Sequence, residues 1–398
     1  MLDLTSLPPG FHTDPGPIYD LLLDHAPVCR QPDGSFLLAA HADLNSVYRD
    51  TQLFVSDKRA VFEPKFGAGT PLFEHHTTSL VFNDPPLHTR VRRIMSSALT
   101  PRALQRMTPG LIRTVDRLLD ELPPKADLIA EFASRIPIEV IGNLLDVPAG
   151  EREPLRDWSL SILGALEPVL SPAQQEKGNA AVTGFSDYLA DLIRRRRLCP
   201  GDPETDVLTR LIKGDPEGQL SPAELIHNCI FILNAGHETT TNLIGSALAL
   251  LHDNPSERTA LLNNPDLIDT AVEEVLRCRS PNQFGNRVTT RDVQFQGVVI
   301  PAGSNLHLCI GAANRDPSVF TDPGRFDIRR TPNRHLAFGG GPHVCVGLTL
   351  ARMEGRIAVD RFLRRWPDYT LTDRTEAGRV RFRGYETLVG DLAGRSTA

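Results

Sequence analysis

Between Ser221 and Asn254 the sequence gives a helix no place to stop. The stretch opens on Ser221-Pro222-Ala223-Glu224: serine as N-cap, proline at the first helical position, glutamate as capping-box partner. No breaker follows until Asn254-Pro255, which predicts a helix of roughly thirty residues, about 45 Å long. A rod of that length crosses a whole domain, so the rest of the chain must pack around it. Its middle, Asn234-Ala235-Gly236-His237-Glu238-Thr239-Thr240, is unusual. Ala235, Gly236 and Thr239 share one face by i,i+3 and i,i+4 spacing, and two such small residues leave a notch. A helical glycine costs about 1 kcal/mol relative to alanine. Either a ligand lying against the backbone offsets that cost, or a neighbouring helix does, with the threonine bonding its own backbone. Glu238 and Thr239 form an acid–alcohol pair suited to passing protons into a buried site.

Elsewhere the order is mainly α with small β-sheets. Gly34–Ala39 reads as a strand and His41–Arg49 as a helix; a mainly helical stretch runs from Leu87 to Pro255. Val293–Ile300 reads as a strand closed by the turn Pro301-Ala302-Gly303, and Asn305–Ile310 as another. Val346–Trp366 is helical again. Arg194–Arg197 ends an amphipathic helix, where four cations favour the helix dipole and solvation over a nucleic-acid patch. A net charge of -6 likewise argues against a general affinity for nucleic acid. The most apolar segment, Ile226–Leu251, is interrupted by Asn234, His237, Glu238 and Asn242. It does not make a membrane span. The first residues carry acids and prolines rather than a signal-peptide pattern, so the expected compartment is the cytoplasm.

The six cysteines, at 29, 199, 229, 278, 309 and 345, form no CxxC pair, which excludes a disulfide framework and an ordinary zinc or iron–sulfur site. Most read as buried thiols. Cys345 stands apart, in Phe338–Gly347 (FGGGPHVCVG) directly before a helix. Three consecutive glycines are entropically expensive. They imply positive backbone angles or the close approach of something large and flat. A zinc site of His343 with Cys345 lacks its remaining ligands. Upstream, Glu274 and Arg277 in EEVLR pair at i,i+3, and Ala312–Arg330 reads as an irregular loop with paired Asp-Pro turns.

In this order the motifs resemble the cytochrome P450 superfamily of haem-thiolate monooxygenases. FGGGPHVCVG matches that family's cysteine-ligand loop, AGHETT its oxygen-activating helix motif, EEVLR its ExxR motif, and NRDP…FTDPGRFD the meander. His88-Thr89-Arg90-Val91-Arg92 resembles its haem-propionate motif. The resemblance implies a single P450-fold domain over 1–398. Its helix-rich core would cover about 87–290, with β-rich parts near 30–60 and 290–310 and the haem-ligand loop at 338–347. Haem b (iron protoporphyrin IX) would lie between the long helix and that loop, with Cys345 as the iron ligand. Its other contacts would be His88, Arg92, Ala235, Gly236, Arg287, Phe338, Gly339, His343 and Gly347. Glu274 and Arg277 would lock the meander together with Arg325.

The implied reaction inserts one oxygen atom of O2 into a small organic substrate, by hydroxylation or O-dealkylation, with Thr239 and Glu238 delivering protons. The chain carries no flavin or iron–sulfur motif, so electrons would come from a ferredoxin or flavodoxin with its reductase. Arg92, Arg93, Arg102, Arg352 and Arg356 are the candidate docking cations. Asn242, Leu243 and Phe284, with the Phe73–Phe82 loop, are candidate substrate contacts. Two other readings stay open: a peroxide-driven haem-thiolate enzyme and a haem-binding sensor without turnover.

Overall fold

The computed structural model describes residues 2–203, 206–214 and 218–393. They form two compact units. One comprises the chain up to Phe54, Pro109–Ile136, and the chain from Thr239 onward; the other comprises Val55–Thr108 and Pro137–Glu238. Helices dominate, and the longest runs over Pro222–Asp253, 32 residues. Its start is the capping box read from the sequence. The Ser221 N–H donates to Glu224 Oε2 at 2.8 Å, and the Glu224 N–H to Ser221 Oγ at 3.3 Å.

In the first unit, strands Val28–Arg30, Phe36–Leu38, Asn305–Cys309 and Phe284–Thr289 lie side by side in that order. Phe36–Leu38 runs parallel to Asn305–Cys309, and the other pairings are antiparallel. Leu38, Leu306 and Leu308 bury one face of this sheet against Leu44, Val47 and Tyr48 of helix His41–Arg49. Phe284–Thr289 falls inside the stretch expected to be helix-rich. Its aromatic and β-branched residues fit a half-buried pleat better than a helix. Val293–Ile300 is a hairpin rather than one strand. Val293–Phe295 and Val298–Ile300 pair around Gln296 and Gly297, with φ of 50° and 81°, the angles of a two-residue primed turn. A third sheet, of Lys125–Asp127, Tyr385–Asp391 and Thr370–Glu376, went unread. Thr370–Glu376 is mostly solvent-facing and carries no apolar alternation to reveal it.

Glu274 and Arg277 hold the meander from the inside, both side chains fully buried. Arg277 donates from Nε and Nη2 to the two Glu274 oxygens, each at 2.8 Å. It also donates to the backbone carbonyls of Asn314, Pro323 and Arg325 at 2.8–2.9 Å. The expected third member, Arg325, thus takes part through its carbonyl. The side chain that completes the lock is Arg330, donating to Glu274 Oε1 at 3.1 Å, with Asn333 on Oε2 at 3.0 Å.

In the second unit, helix Pro172–Leu198 ends on the four arginines, and three of them are paired rather than merely solvated. Arg194 bonds Asp191 at 2.5 Å, Arg195 chelates Glu151, and Arg196 reaches the buried Asp206 at 2.6 Å. Asp191 lies one helical turn before Arg194, whereas Glu151 and Asp206 are 44 and 10 positions from their partners, beyond the reach of a local pattern.

Candidate active site

Cys345 sits at the end of a tightly bonded loop. Its N–H donates to the Phe338 carbonyl at 2.9 Å, and the Gly339 N–H to the Leu336 carbonyl at 2.8 Å. A short turn, Gly341–His343, leads into it, and helix Leu348–Arg365 follows it. Cys29, Cys229 and Cys309 are buried, whereas Cys345 is half-exposed. Burial pushes the thiols of Cys229 and Cys309 up to about 12, so those two stay protonated and inert. A Cβ on Gly347 would stand 3.9 Å from the Cys345 sulfur, which leaves the sulfur uncrowded from that side.

The glycines have local reasons. Gly339 and Gly341 have φ of 67° and 62°, angles that side chains strain. A Cβ on Gly340 would stand 3.2 Å from the Tyr48 side chain, and one on Gly341 would overlap the Tyr48 carbonyl oxygen. Tyr48, which the sequence reading passed over, therefore seats the loop on helix His41–Arg49. The same ring lies under the buried Arg287 guanidinium, 5.4 Å from its centroid. Burial pushes the Tyr48 phenol up to about 12, against the pull of Arg287 and Arg381. Arg287 also donates to the Asn286 carbonyl at 2.6 Å.

A second group that sequence reasoning missed supports the loop from helix Ile268–Cys278. Glu273 accepts from Arg352 Nε and Nη2, each at 2.7 Å, and pairs with His335 Nε2 at 3.1 Å. The Arg352 guanidinium in turn covers the Phe338 ring at 4.8 Å. Burial alone would raise the Glu273 carboxyl, but His335 and Arg352 outweigh it and hold it at about 2, below the ordinary 4.5. A depressed acid stabilises the fold above its unfolded value and loses that contribution as pH falls through the folded value. Glu273→Gln is therefore expected to lower stability at pH 7 and to flatten the loss between pH 4.5 and 2, read from urea midpoints across that range. Arg352 is thus committed to Glu273, and Arg356 to Asp269 at 2.6 Å. Both expected docking cations are thus ion-paired within the chain, Arg352 in a half-buried pair and Arg356 in an exposed one. Arg102 stays exposed.

In the second unit, helix Leu87–Ala98 carries His88, buried, and Arg92, half-buried, one turn apart. On the long helix, Ala235 and Gly236 are half-buried. A Cβ on Gly236 would run into Ile141 Cδ1 of helix Arg135–Leu144. Of the two explanations for this glycine, packing against a neighbouring helix thus has a partner in Ile141. Glu238 is buried and Thr239 half-buried.

The expected substrate contacts are core residues. Leu243 is 1% exposed, and its side chain fills the space beside Gly355 on helix Leu348–Arg365. Phe284 is 2% exposed among Leu2, Phe11, Tyr19 and Leu37. Asn242 packs its amide against Gly384. All three face the interior of the first unit.

Comparison with known proteins now decides the family. The family description "Cytochrome P450" matches residues 159–367. The "Biotin biosynthesis cytochrome P450" of Bacillus subtilis (strain 168) is 37% identical over 375 residues, 91% of this chain and 92% of that protein. The chain belongs to the cytochrome P450 family. It is therefore an oxidoreductase of the P450 monooxygenase class. "Vitamin D(3) 25-hydroxylase" of Pseudonocardia autotrophica is 38% identical over 368 residues, 91% of this chain and 88% of that one. Among solved structures, P450BioI in complex with hexadec-9Z-enoic acid ligated acyl carrier protein superposes with a TM-score of 0.90. It is 35% identical, covering 96% of this chain and 99% of that one. The fold is thus the P450 fold.

The P450 family implies a haem cofactor, and the residues present suit one. A half-exposed thiol outside the core, two half-buried or buried histidines and two arginines match an iron that takes a thiolate and carboxylates that want cations. Among the described residues no cluster of histidines, cysteines and acids forms a metal site without it, and no helix is long and apolar enough to cross a membrane.

Proposed function

We propose that this chain is a haem b monooxygenase, one domain over 1–398, that hydroxylates or O-dealkylates an organic substrate. The observation that carries the reading is Cys345, the half-exposed thiol at the amino end of helix Leu348–Arg365. Haem, when bound, supplies the activation of O2 that no side chain can perform. Cys345 Sγ is the thiolate that holds the iron. His343 and Arg287, with His88 and Arg92, are the cations for the propionates. Phe338, Gly339 and Gly347 shape the loop, and Ala235 and Gly236 keep their stretch of helix thin. Protons reach the oxygen face through Glu238 and then Thr239, whose Oγ1 accepts one proton as it gives up another. Electrons come from a ferredoxin or flavodoxin with its reductase in the cytoplasm, docked in part by Arg92, Arg93 and Arg102.

The relatives bear on the substrate. Their names and titles include a vitamin D3 hydroxylase and complexes with a fatty acyl carrier protein and with testosterone. These are extended and largely apolar molecules. An apolar substrate of that size fits the reading better than the small organic molecule expected from the resemblance.

Replacing Glu238 by Gln, or Thr239 by Ala, removes a proton donor without altering thiolate ligation. Product formation is expected to fall by about 10²-fold, the scale of general acid–base catalysis, with electrons diverted to peroxide. Assays with NADH, ferredoxin and reductase measure both products. Full turnover of the unmodified enzyme on peroxide alone would support the peroxide-driven reading instead. Haem binding with no turnover from either source would favour the sensor.

A further inference from the structure

The second unit holds three histidines that the reaction described above does not use. His75 and His76 stand side by side on helix Pro71–Thr78, with ring centroids 5.0 Å apart, and His227 of the long helix faces His75 at 5.6 Å. His75 and His76 are each 2% exposed. Phe62, Phe66 and Phe82 surround the His76 ring at 5.3–5.7 Å. Nδ1 of His227 is shielded and meets no hydrogen-bond partner among the described residues.

The stack lies in a segment that two asparagines pin to the rest of the unit. At its start, the Leu72 N–H donates to Asn179 Oδ1 at 3.0 Å, and the Leu72 side chain fills the space beside Gly178. At its end, the Leu80 N–H donates to Oδ1 of the fully buried Asn228 at 2.9 Å. Asn228 Nδ2 donates in turn to the Glu224 carbonyl at 2.8 Å, which fixes the amide on the long helix. Asn83 closes the turn by donating to the carbonyls of Thr77 and Ser79. Between the two pins, His75 meets His227.

Imidazole is the side chain whose ordinary titration falls between pH 5 and 8, and rings stacked in apolar surroundings resist a proton. Burial first, then the neighbouring His76 and His227, hold His75 well below the usual 6.5; burial holds His227 at about 4. Among the described residues no acid is placed to offset a proton on either ring. Glu63, Glu74, Glu176 and Lys177 are exposed. Arg59 pairs with Asp57 at 2.6 Å, Glu224 pairs with Arg90 at 2.5 Å, and Lys65 donates to the Glu167 carbonyl. Asp84 accepts from the Ser56 and Asp57 N–H groups.

We propose that the segment Pro71–Asn83 is an acid-released latch: neutral His75 and His227 hold it against the long helix, and their protonation frees it. The sign follows from linkage. A ring that stays neutral when closed and titrates normally when open takes up its proton on opening, below pH 6.5. Each histidine then favours opening by about tenfold per pH unit, down to its closed value. With two of them, opening rises by about 70-fold between pH 7 and 5.5 and hardly changes above pH 7.

The test is amide hydrogen exchange of the full-length, haem-loaded protein, read by mass spectrometry in peptides covering residues 71–83. Peptides covering residues 244–251, at the far end of the long helix, serve as reference. Rates are corrected for the intrinsic pH dependence of exchange, so the readout is the opening constant. In the wild type it is expected to rise about 70-fold from pH 7 to 5.5 in the segment and to stay level in the reference. His75→Gln and His227→Gln each remove one proton, so either variant should rise by only about eightfold, and the double variant should stay level. The slope decides rather than the level, so looser packing in a variant does not blur the answer. Should a variant fail to fold, an NMR titration of the wild-type imidazoles takes its place, with both rings expected to stay neutral at pH 5.5. A segment whose opening is level in the wild type, a double variant that keeps the slope, or rings already protonated at pH 5.5 overturns the latch. A reference peptide that opens in parallel overturns it too, since acid then loosens the whole chain.

Discussion

Cys345→His is expected to leave a folded protein that has lost the strongly red-shifted Soret band of its reduced, CO-bound form, and with it all monooxygenase turnover. The reasoning starts from the thiolate, which pushes electron density to the iron and favours O–O cleavage, as imidazole does less well. The loop itself should survive the change. Its hydrogen bonds run through backbone: Cys345 N–H to the Phe338 carbonyl, Gly339 N–H to the Leu336 carbonyl. Its seat on Tyr48 depends on Gly340 and Gly341. A matched pair, Cys309→Ala, is the control. Cys309 is fully buried with its thiol pushed up to about 12, so its loss should cost some packing and leave the spectrum intact. A red-shifted band that persists in Cys345→His, or disappears in Cys309→Ala, would refute the ligand assignment.

What the sequence disclosed depended on how local the signal was. The capping box at Ser221 and Glu224, the helix His41–Arg49 and the helix behind Cys345 rest on contacts within a few residues, and their patterns survive in one dimension. Sites built across the chain were less legible. The reason for Gly236 is Ile141, and that for Gly340 and Gly341 is Tyr48; each lies far away in sequence. The motif marks the loop, while the residue that seats it leaves no trace in the sequence around the loop. Likewise Arg352 looks like a free surface cation until Glu273, 79 positions earlier, is seen holding it. The packing of Leu243 beside Gly355, and of Phe284 among Leu2, Phe11 and Tyr19, was equally out of reach, because those neighbours lie far away in sequence.

The second large effect is expected at Glu274 and Arg277. Removing one partner of a buried ion pair costs about 3–5 kcal/mol, against a typical total stability of about 5–15 kcal/mol. Glu274→Ala or Arg277→Ala should therefore yield little folded protein and almost no haem-loaded enzyme. The double replacement by apolar residues separates two explanations. Were the pair isolated, Glu274→Leu with Arg277→Met would recover most of the loss, since well-packed apolar pairs often replace buried charges at little cost. Here Arg277 also serves the carbonyls of Asn314, Pro323 and Arg325, and Glu274 accepts from Arg330, Asn333 and the Asp327 N–H. The double variant leaves all of these unmet in the interior, so recovery should be small. Arg277→Lys sharpens the point, because an ammonium keeps the charge but lacks the planar fork that reaches two carboxylate oxygens and three carbonyls at once. Urea midpoints and the fraction of haem retained measure both. If lysine restores wild-type values, charge alone holds the meander; if it fails alongside the apolar pair, the geometry of the guanidinium does.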